Sequence, residues 1–245
     1  MCFFYALSQT ARSLKNRYQL KADFAFELQA EMSGPKYYVS GFDFPKMPVL
    51  TNEQPDRLQV LTWGLIPSWV KTPVQAAQIR SKTLNARAES VLEKPSFRRA
   101  VRQRRCLVPA DGFYEWRAFK GKKYPYYIFL KDKEVFSFAG LWEQWVDPAT
   151  GEILKTYSIL TTEANSLVAE IHNTKKRMPV ILPREHEQNW LKEGLSDEGL
   201  SALMKPLPPG LMGAYTISRF ITARVANRNL PQVREAYKYP ELEEI

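Results

Sequence analysis

The sequence predicts an α+β fold: a single domain, 1–245, with a largely antiparallel, partly closed β-sheet or barrel flanked by short helices. Three observations carry this reading. Apolar residues alternate with period two through 106–108, 112–117, 126–130, 135–142 and 153–161, with tight polar turns at Asp132 and at 147–151. The helical patterns are short and irregularly placed, so the regular strand–helix alternation of a parallel sheet is missing. No linker divides the 245 residues, a length ample for one sizeable core.

The elements follow in order. Residues 1–7 are apolar but too short to cross a membrane and lack the basic leader and cleavage site of a signal peptide; they read as a buried first strand. Residues 10–19 have amphipathic helical spacing with Thr10 as N-cap. Short strands are expected at 37–40 and 58–63, a helix at 74–79, and helical turns at 90–92 and 96–105. Beyond the period-two block come a helix at 163–171, a strand at 179–182, and helices at 185–192 and 197–204. The proline-rich run 205–210 reads as a loop, and 232–245 is weakly patterned.

Composition narrows the function classes. Apolar residues make up 44% and charged residues 25%, as in an ordinary globular domain, and no apolar run approaches the ~18 residues of a membrane span. Two cysteines make no disulfide scaffold, so a reducing cytoplasm is the expected location. Two histidines and two cysteines lie scattered, without metal-ligand spacing. The net charge of +9 is concentrated: residues 71–110 hold ten Lys and Arg against Glu89 and Glu93, a surplus of eight. Such a field suits a polyanion, or is simply a solvated basic helix.

Five groups of residues could carry chemistry. Cys2 follows Met1, and its small side chain permits methionine removal; the product carries an amine and a thiol on one carbon, both near their pKa at neutral pH. Such a 1,2-aminothiol converts an aldehyde first to a Schiff base, then to a thiazolidine ring. The plainer reading is a small buried residue in a first strand. Asn85 and Arg87, in the run 85–90 (NARAES), offer an amide oxygen for an amine and a planar fork for a phosphate, or else a helix-starting loop. Glu115 sits among aromatics in 105–116 (RCLVPADGFYEW), where burial would favour its protonated form, or half-exposed on a strand. His172 ends a helix ahead of a basic loop with Lys175, Lys176 and Arg177: a proton carrier, or a helix cap. Trp69, after a turn in 63–69 (WGLIPSW), could stack on a base or fill a core.

Each signal alone is weak, but their order is specific. Cys2, WGLIPSW, NARAES, RCLVPADGFYEW, AGLWE at 139–143, TTEAN at 161–165 and HNTKKRMPVIL at 172–182 together resemble the SRAP family, the abasic-site processing proteins, over residues 2–218. The resemblance implies an α+β domain with a basic cleft for single-stranded DNA, in which mature Cys2 crosslinks to the ring-opened aldehyde of an abasic site. It further implies that Asn85 positions the amine, Glu115 transfers a proton at the Schiff base, His172 acts as acid or base in ring opening and reversal, and Arg87 and Arg177 grip phosphates. No cofactor is needed. A peptidase role limited to self-processing, and abasic-site lyase activity, accompany the resemblance. A monomer is expected, with replication-associated proteins as candidate protein partners.

The sequence departs from the family pattern in three places. Phe3 and Phe4 replace the usual glycine and arginine, removing one phosphate ligand. The usual asparagine- and proline-bearing loop reads YYVSGF at 37–42, leaving Phe42 as the candidate wedge between bases. Asn173 to Lys176 lengthen the spacing from His172 to Arg177, so Lys175 and Lys176 are substitute phosphate partners. Two rival readings stand beside the crosslinker: an N-terminal-cysteine peptidase or amidohydrolase, and a non-catalytic single-stranded nucleic-acid-binding module.

Overall fold

The computed structural model describes residues 2–20, 34–225 and 227–242; the expected removal of Met1 lies outside them. The strands are β1 (Phe4–Leu7), β2 (Lys36–Ser40), β3 (Lys46–Thr51), β4 (Gln54–Trp63), β5 (Asn85–Arg87), β6 (Arg105–Ala110), β7 (Gly112–Phe119), β8 (Lys122–Leu130), β9 (Phe136–Val146), β10 (Ile153–Glu163), β11 (Arg177–Pro179), β12 (Ile181–Leu182) and β13 (Met212–Thr216). The helices are α1 (Ala11–Tyr18), α2 (Pro73–Arg80), α3 (Arg98–Gln103), α4 (Ser166–Ile171), α5 (Arg184–Leu191) and α6 (Asp197–Leu203).

Strands β3, β4, β10, β9 and β6 pair in that order and β6 returns to β3, closing a barrel. The barrel is mixed, because β10 runs parallel to β4 while its other seams are antiparallel. The second sheet, β13–β8–β7–β1–β2, is wholly antiparallel and, among the described residues, stays open. The α+β class and the partly closed sheet therefore stand as expected.

Alternation along β7 explains how the layers meet. Phe113 joins the main core with barrel residues Leu107, Phe138, Leu141 and Ile159, while Tyr114 points the other way into a second cluster with Ile217, Ile221 and Val233. The weakly patterned tail thus packs tightly: Ala236 bridges to Ile217, and Arg234 donates to Ser8 Oγ at 3.1 Å.

Helix starts follow their capping residues. Thr10 accepts from the Ser13 N–H, Thr72 caps α2 ahead of Pro73, and Asn165 accepts from the Val168 N–H at 2.9 Å. This last cap corrects the expected helix at 163–171, since Glu163 still belongs to β10, opposite Arg177. Strand β3 escaped the sequence reading because Pro48 argues against a strand interior. Strand β5 escaped because three residues show no period.

The basic stretch 71–110 turns out to be partly architectural. Arg105 is fully buried and donates to the carbonyls of Val101, Arg102, Trp190 and Lys192, closing the C-terminal ends of α3 and α5. Helix ends carry partial negative charge, so this cation needs no carboxylate there. Arg102 pairs with Asp197, and Arg104 with the buried Glu143. These three residues do not contribute to an open cationic surface in the way the charge count suggested.

Candidate active site at the chain start

Strand β1 pairs with β7 with Tyr5 opposite Phe113 and Ala6 opposite Gly112. Continued towards the N-terminus, this register lays the chain start alongside Glu115. A cavity of about 410 Å³ opens there, lined by Phe3, Phe4, Glu115, Trp116, His172 and Lys175, together with Ala118, Lys123, Thr174 and Thr222.

Glu115 is buried, and burial pushes its carboxyl up to about 8, so it is largely protonated at neutral pH. His172 Nδ1 lies 3.7 Å from Glu115 Oε1 and 2.9 Å from the Arg177 carbonyl. A carbonyl only accepts, so the neutral ring carries its proton on Nδ1 and Nε2 is its basic nitrogen. Burial also lowers the His172 pKa, which keeps the ring neutral. A protonated carboxylic acid and a neutral imidazole thus stand side by side, a proton donor and a proton acceptor set by environment.

The loop that carries His172 is pinned from outside. Asn173, just past α4, accepts from the Ala118 N–H at 3.0 Å and donates to the Ala118 carbonyl at 2.8 Å. Glu170 pairs with Arg117 at 3.2 Å. These contacts hold the end of α4 on β7, three residues beyond Glu115. Sequence reading missed Asn173, Trp116 and Lys123; only the lysine-rich turn between β7 and β8 offered a signal for the last.

Cys2 is fully buried; its Sγ donates to the Phe4 carbonyl at 3.7 Å. Burial raises the thiol well above its ordinary value, with Glu115 adding to the effect. The expectation of a ready thiolate is therefore corrected: the fold holds Cys2 as the neutral thiol. Cys106 is likewise fully buried, in the barrel core, as anticipated.

Asn85 lies on β5, opposite Ile159 of β10 at the barrel rim. Both atoms of its side-chain amide are buried, and neither has a hydrogen-bond partner among the described residues. An unsatisfied buried amide costs about 1–3 kcal/mol, which sets this one apart from an ordinary packed asparagine. Arg87, two residues on, is exposed beside Thr161.

The remaining expected contacts divide. Lys175 lines the cavity, whereas Lys176 is exposed in a left-handed turn (φ 48°) whose backbone braces His172 and Ala164. Arg177 does not offer an open fork: it grips Glu89 at 2.6 and 3.0 Å and the Thr161 carbonyl at 2.7 Å. Phe42 is 54% exposed on the turn after β2, its ring 4.9 Å from Phe3 at the cavity edge. Trp69 is 55% exposed but stands in another hollow with Pro95, Arg99 and Glu143, outside the cavity that holds Glu115 and His172. Among the described residues no three His, Cys, Asp or Glu side chains gather as metal ligands would.

A closed mixed barrel joined to an open sheet, with a cysteine, a buried acid and a histidine gathered at the chain start, defines an α+β protein built around its own N-terminal segment. The chain belongs to the SRAP family: the family model, SOS response associated peptidase (SRAP), matches residues 1–224. It is 40% identical over 191 residues to the abasic site processing protein YoqW of Bacillus subtilis, covering 77% of this chain and 81% of that one. Over 154 residues it is 35% identical to the abasic site processing protein HMCES of Gallus gallus, covering 55% of this chain and 45% of the relative. The fold superimposes on a crystal structure of a protein from Bacteroides thetaiotaomicron with a TM-score of 0.90 at 41% identity, over 97% of this chain and 100% of the other.

Proposed function

We propose that this protein processes abasic sites in single-stranded DNA by forming a covalent thiazolidine between Cys2 and the sugar aldehyde. The observation that carries the reading is the protonated Glu115 held 3.7 Å from neutral His172 in a cavity at the chain start. The names of the relatives and the family match support the substrate class.

The chemistry follows from those groups. His172 takes the anomeric hydroxyl proton, the bond from the anomeric carbon to the ring oxygen breaks with its electron pair on that oxygen, and the imidazolium returns the proton there, leaving the open-chain aldehyde. The Cys2 amine, exposed once Met1 is removed and oriented by the Asn85 amide oxygen, attacks the carbonyl carbon. One amine proton passes to the carbonyl oxygen, Glu115 gives its own proton to the hydroxyl so formed, water leaves, and the Glu115 carboxylate takes the remaining nitrogen proton as the imine forms. The Cys2 sulfur then adds to the imine carbon while its proton passes to the nitrogen, closing the five-membered ring. The thiol needs no prior ionisation in this order of events, which fits its burial. Lys123, Lys175 and Arg87 supply cations for the DNA backbone, and Phe42 and Trp116 supply rings for bases. A single strand presents the sugar that a duplex would shield, and a monomer in the cytoplasm suffices for this chemistry.

Intact-mass measurement before and after mixing with an abasic single-stranded oligonucleotide tests the proposal. The expected result is loss of Met1 and a heat-stable adduct that Cys2→Ala abolishes. Equal adduct from Cys2→Ala would overturn it, and peptide release without DNA would favour an N-terminal-cysteine peptidase instead.

A further inference from the structure

Three parts of this site hang on separate pieces of backbone: the chain start ahead of β1, Phe42 on the turn after β2, and Asn85 on β5. Trp63, at the end of β4, lies where the three meet. Its Nε1–H donates to the Leu84 carbonyl at 2.8 Å, on the peptide directly before Asn85. Its ring packs on Gly41 so closely that a Cβ there would sit 3.2 Å from it. Gly41 in turn donates its N–H to the Phe3 carbonyl at 2.9 Å. The same indole meets the Tyr5 ring edge-on at 5.3 Å and stacks on Tyr157 at 6.0 Å.

Tyr5 and Tyr157 add a second tie. Their hydroxyls are 3.1 Å apart and both side chains are fully buried. The bond spans the two sheets, from β1 of the open sheet to β10 of the barrel. Strand β10 is the one on which β5 lies, with Asn85 opposite Ile159. Two phenylalanines would fill this space without the cost of burying two hydroxyls.

We propose that Trp63 and the Tyr5–Tyr157 pair form a positioning unit that holds the Cys2-bearing chain start and the Asn85 strand at one fixed spacing. The inference rests on the crosslinking reading above. None of the three is exposed to a substrate, so each acts through Cys2 and Asn85. Attack on a carbonyl requires reacting atoms about 3–3.5 Å apart, and a misplacement of about 1 Å costs roughly a hundredfold in rate.

The test uses the full chain with Tyr5→Phe, Tyr157→Phe, the double variant and Trp63→Phe. Affinity is read with single-stranded DNA carrying tetrahydrofuran, an abasic analogue without the aldehyde; adduct rate is read with a true abasic site; Tm is read alongside. Each single tyrosine variant strands one buried hydroxyl and lowers Tm. The double variant removes both hydroxyls, so its Tm returns towards wild type. The proposal expects its adduct rate to stay about ten- to a hundredfold down while tetrahydrofuran affinity holds within about twofold. A double variant that reacts at the wild-type rate overturns the tyrosine tie. Trp63→Phe keeps a ring without the N–H donor, and the same split between rate and affinity is expected; equal losses in both overturn the role of Trp63. Failure of the wild type to form any Cys2-dependent adduct would defeat the crosslinking reading itself, whatever these variants do.

Discussion

His172 Nδ1 stands 3.7 Å from Glu115 Oε1, although one residue ends a helix and the other lies within a strand. The contact joins two groups whose environments push them to opposite roles at neutral pH. Burial keeps the carboxyl protonated to about 8, and burial also keeps the imidazole neutral. Four expectations follow from this pair and its surroundings.

Glu115 is raised from an ordinary value of 4.5 to about 8, so between those limits the native state binds more protons than the unfolded chain. Its contribution to stability is present at low pH and is lost as pH rises through about 8. Urea melts from pH 5 to pH 9 should show Glu115→Gln gaining on wild type by on the order of 2–4 kcal/mol across that range. The wild-type adduct rate should fall above about pH 8 as the proton donor is lost. Glu115→Gln should react about 10²- to 10⁴-fold more slowly than wild type at pH 7.

Arg177 is held by Glu89, so a phosphate must compete with that carboxylate for the same fork. Glu89→Gln releases the guanidinium and removes a negative charge near Arg87. Single-stranded DNA should bind several-fold more tightly, and the salt dependence should steepen by about 0.7 in log–log slope for one further phosphate contact. Fluorescence anisotropy at several salt concentrations reads both.

Asn173 clamps the His172 loop to both backbone groups of Ala118. Asn173→Ala should cost about 1 kcal/mol of stability from the lost hydrogen bonds. It should slow the adduct by about tenfold or more through a looser His172, with little change in affinity for a non-reactive abasic strand. Parallel measurements of binding and adduct rate would show the difference.

Arg105 and Arg87 come from the same basic stretch but do opposite work. Arg105→Met strands buried helix-end carbonyls and should destabilise by about 3 kcal/mol in thermal or urea melts. Arg87→Ala sits on the surface, should leave stability within about 0.5 kcal/mol, and should weaken DNA binding.

Much of this molecule was legible from one dimension. The period-two runs gave β6 to β10, and Thr10 announced α1 through its capping oxygen. Cys2, Asn85, Glu115 and His172 stood out by residue type and by motif order. The strands that escaped reading were those whose signal is weak by nature: β3 interrupted by Pro48, the three residues of β5, and the short β13 just past the proline-rich loop. Charge misled where the count could not tell a solvated arginine from Arg105, whose partners are backbone carbonyls on two different helices.

By itself the sequence determined the fold class, the strand-rich middle and the family, because periodicity and motif order are properties of the chain alone. Only the tertiary structure decided protonation, spacing and availability. Cys2 became a buried neutral thiol rather than a thiolate, Arg177 was taken by Glu89, and Trp69 was set apart from the cavity of Glu115 and His172. Those outcomes depend on which distant segments exclude water from a side chain and which charges come within a few ångströms of it, and long-range packing alone fixes both.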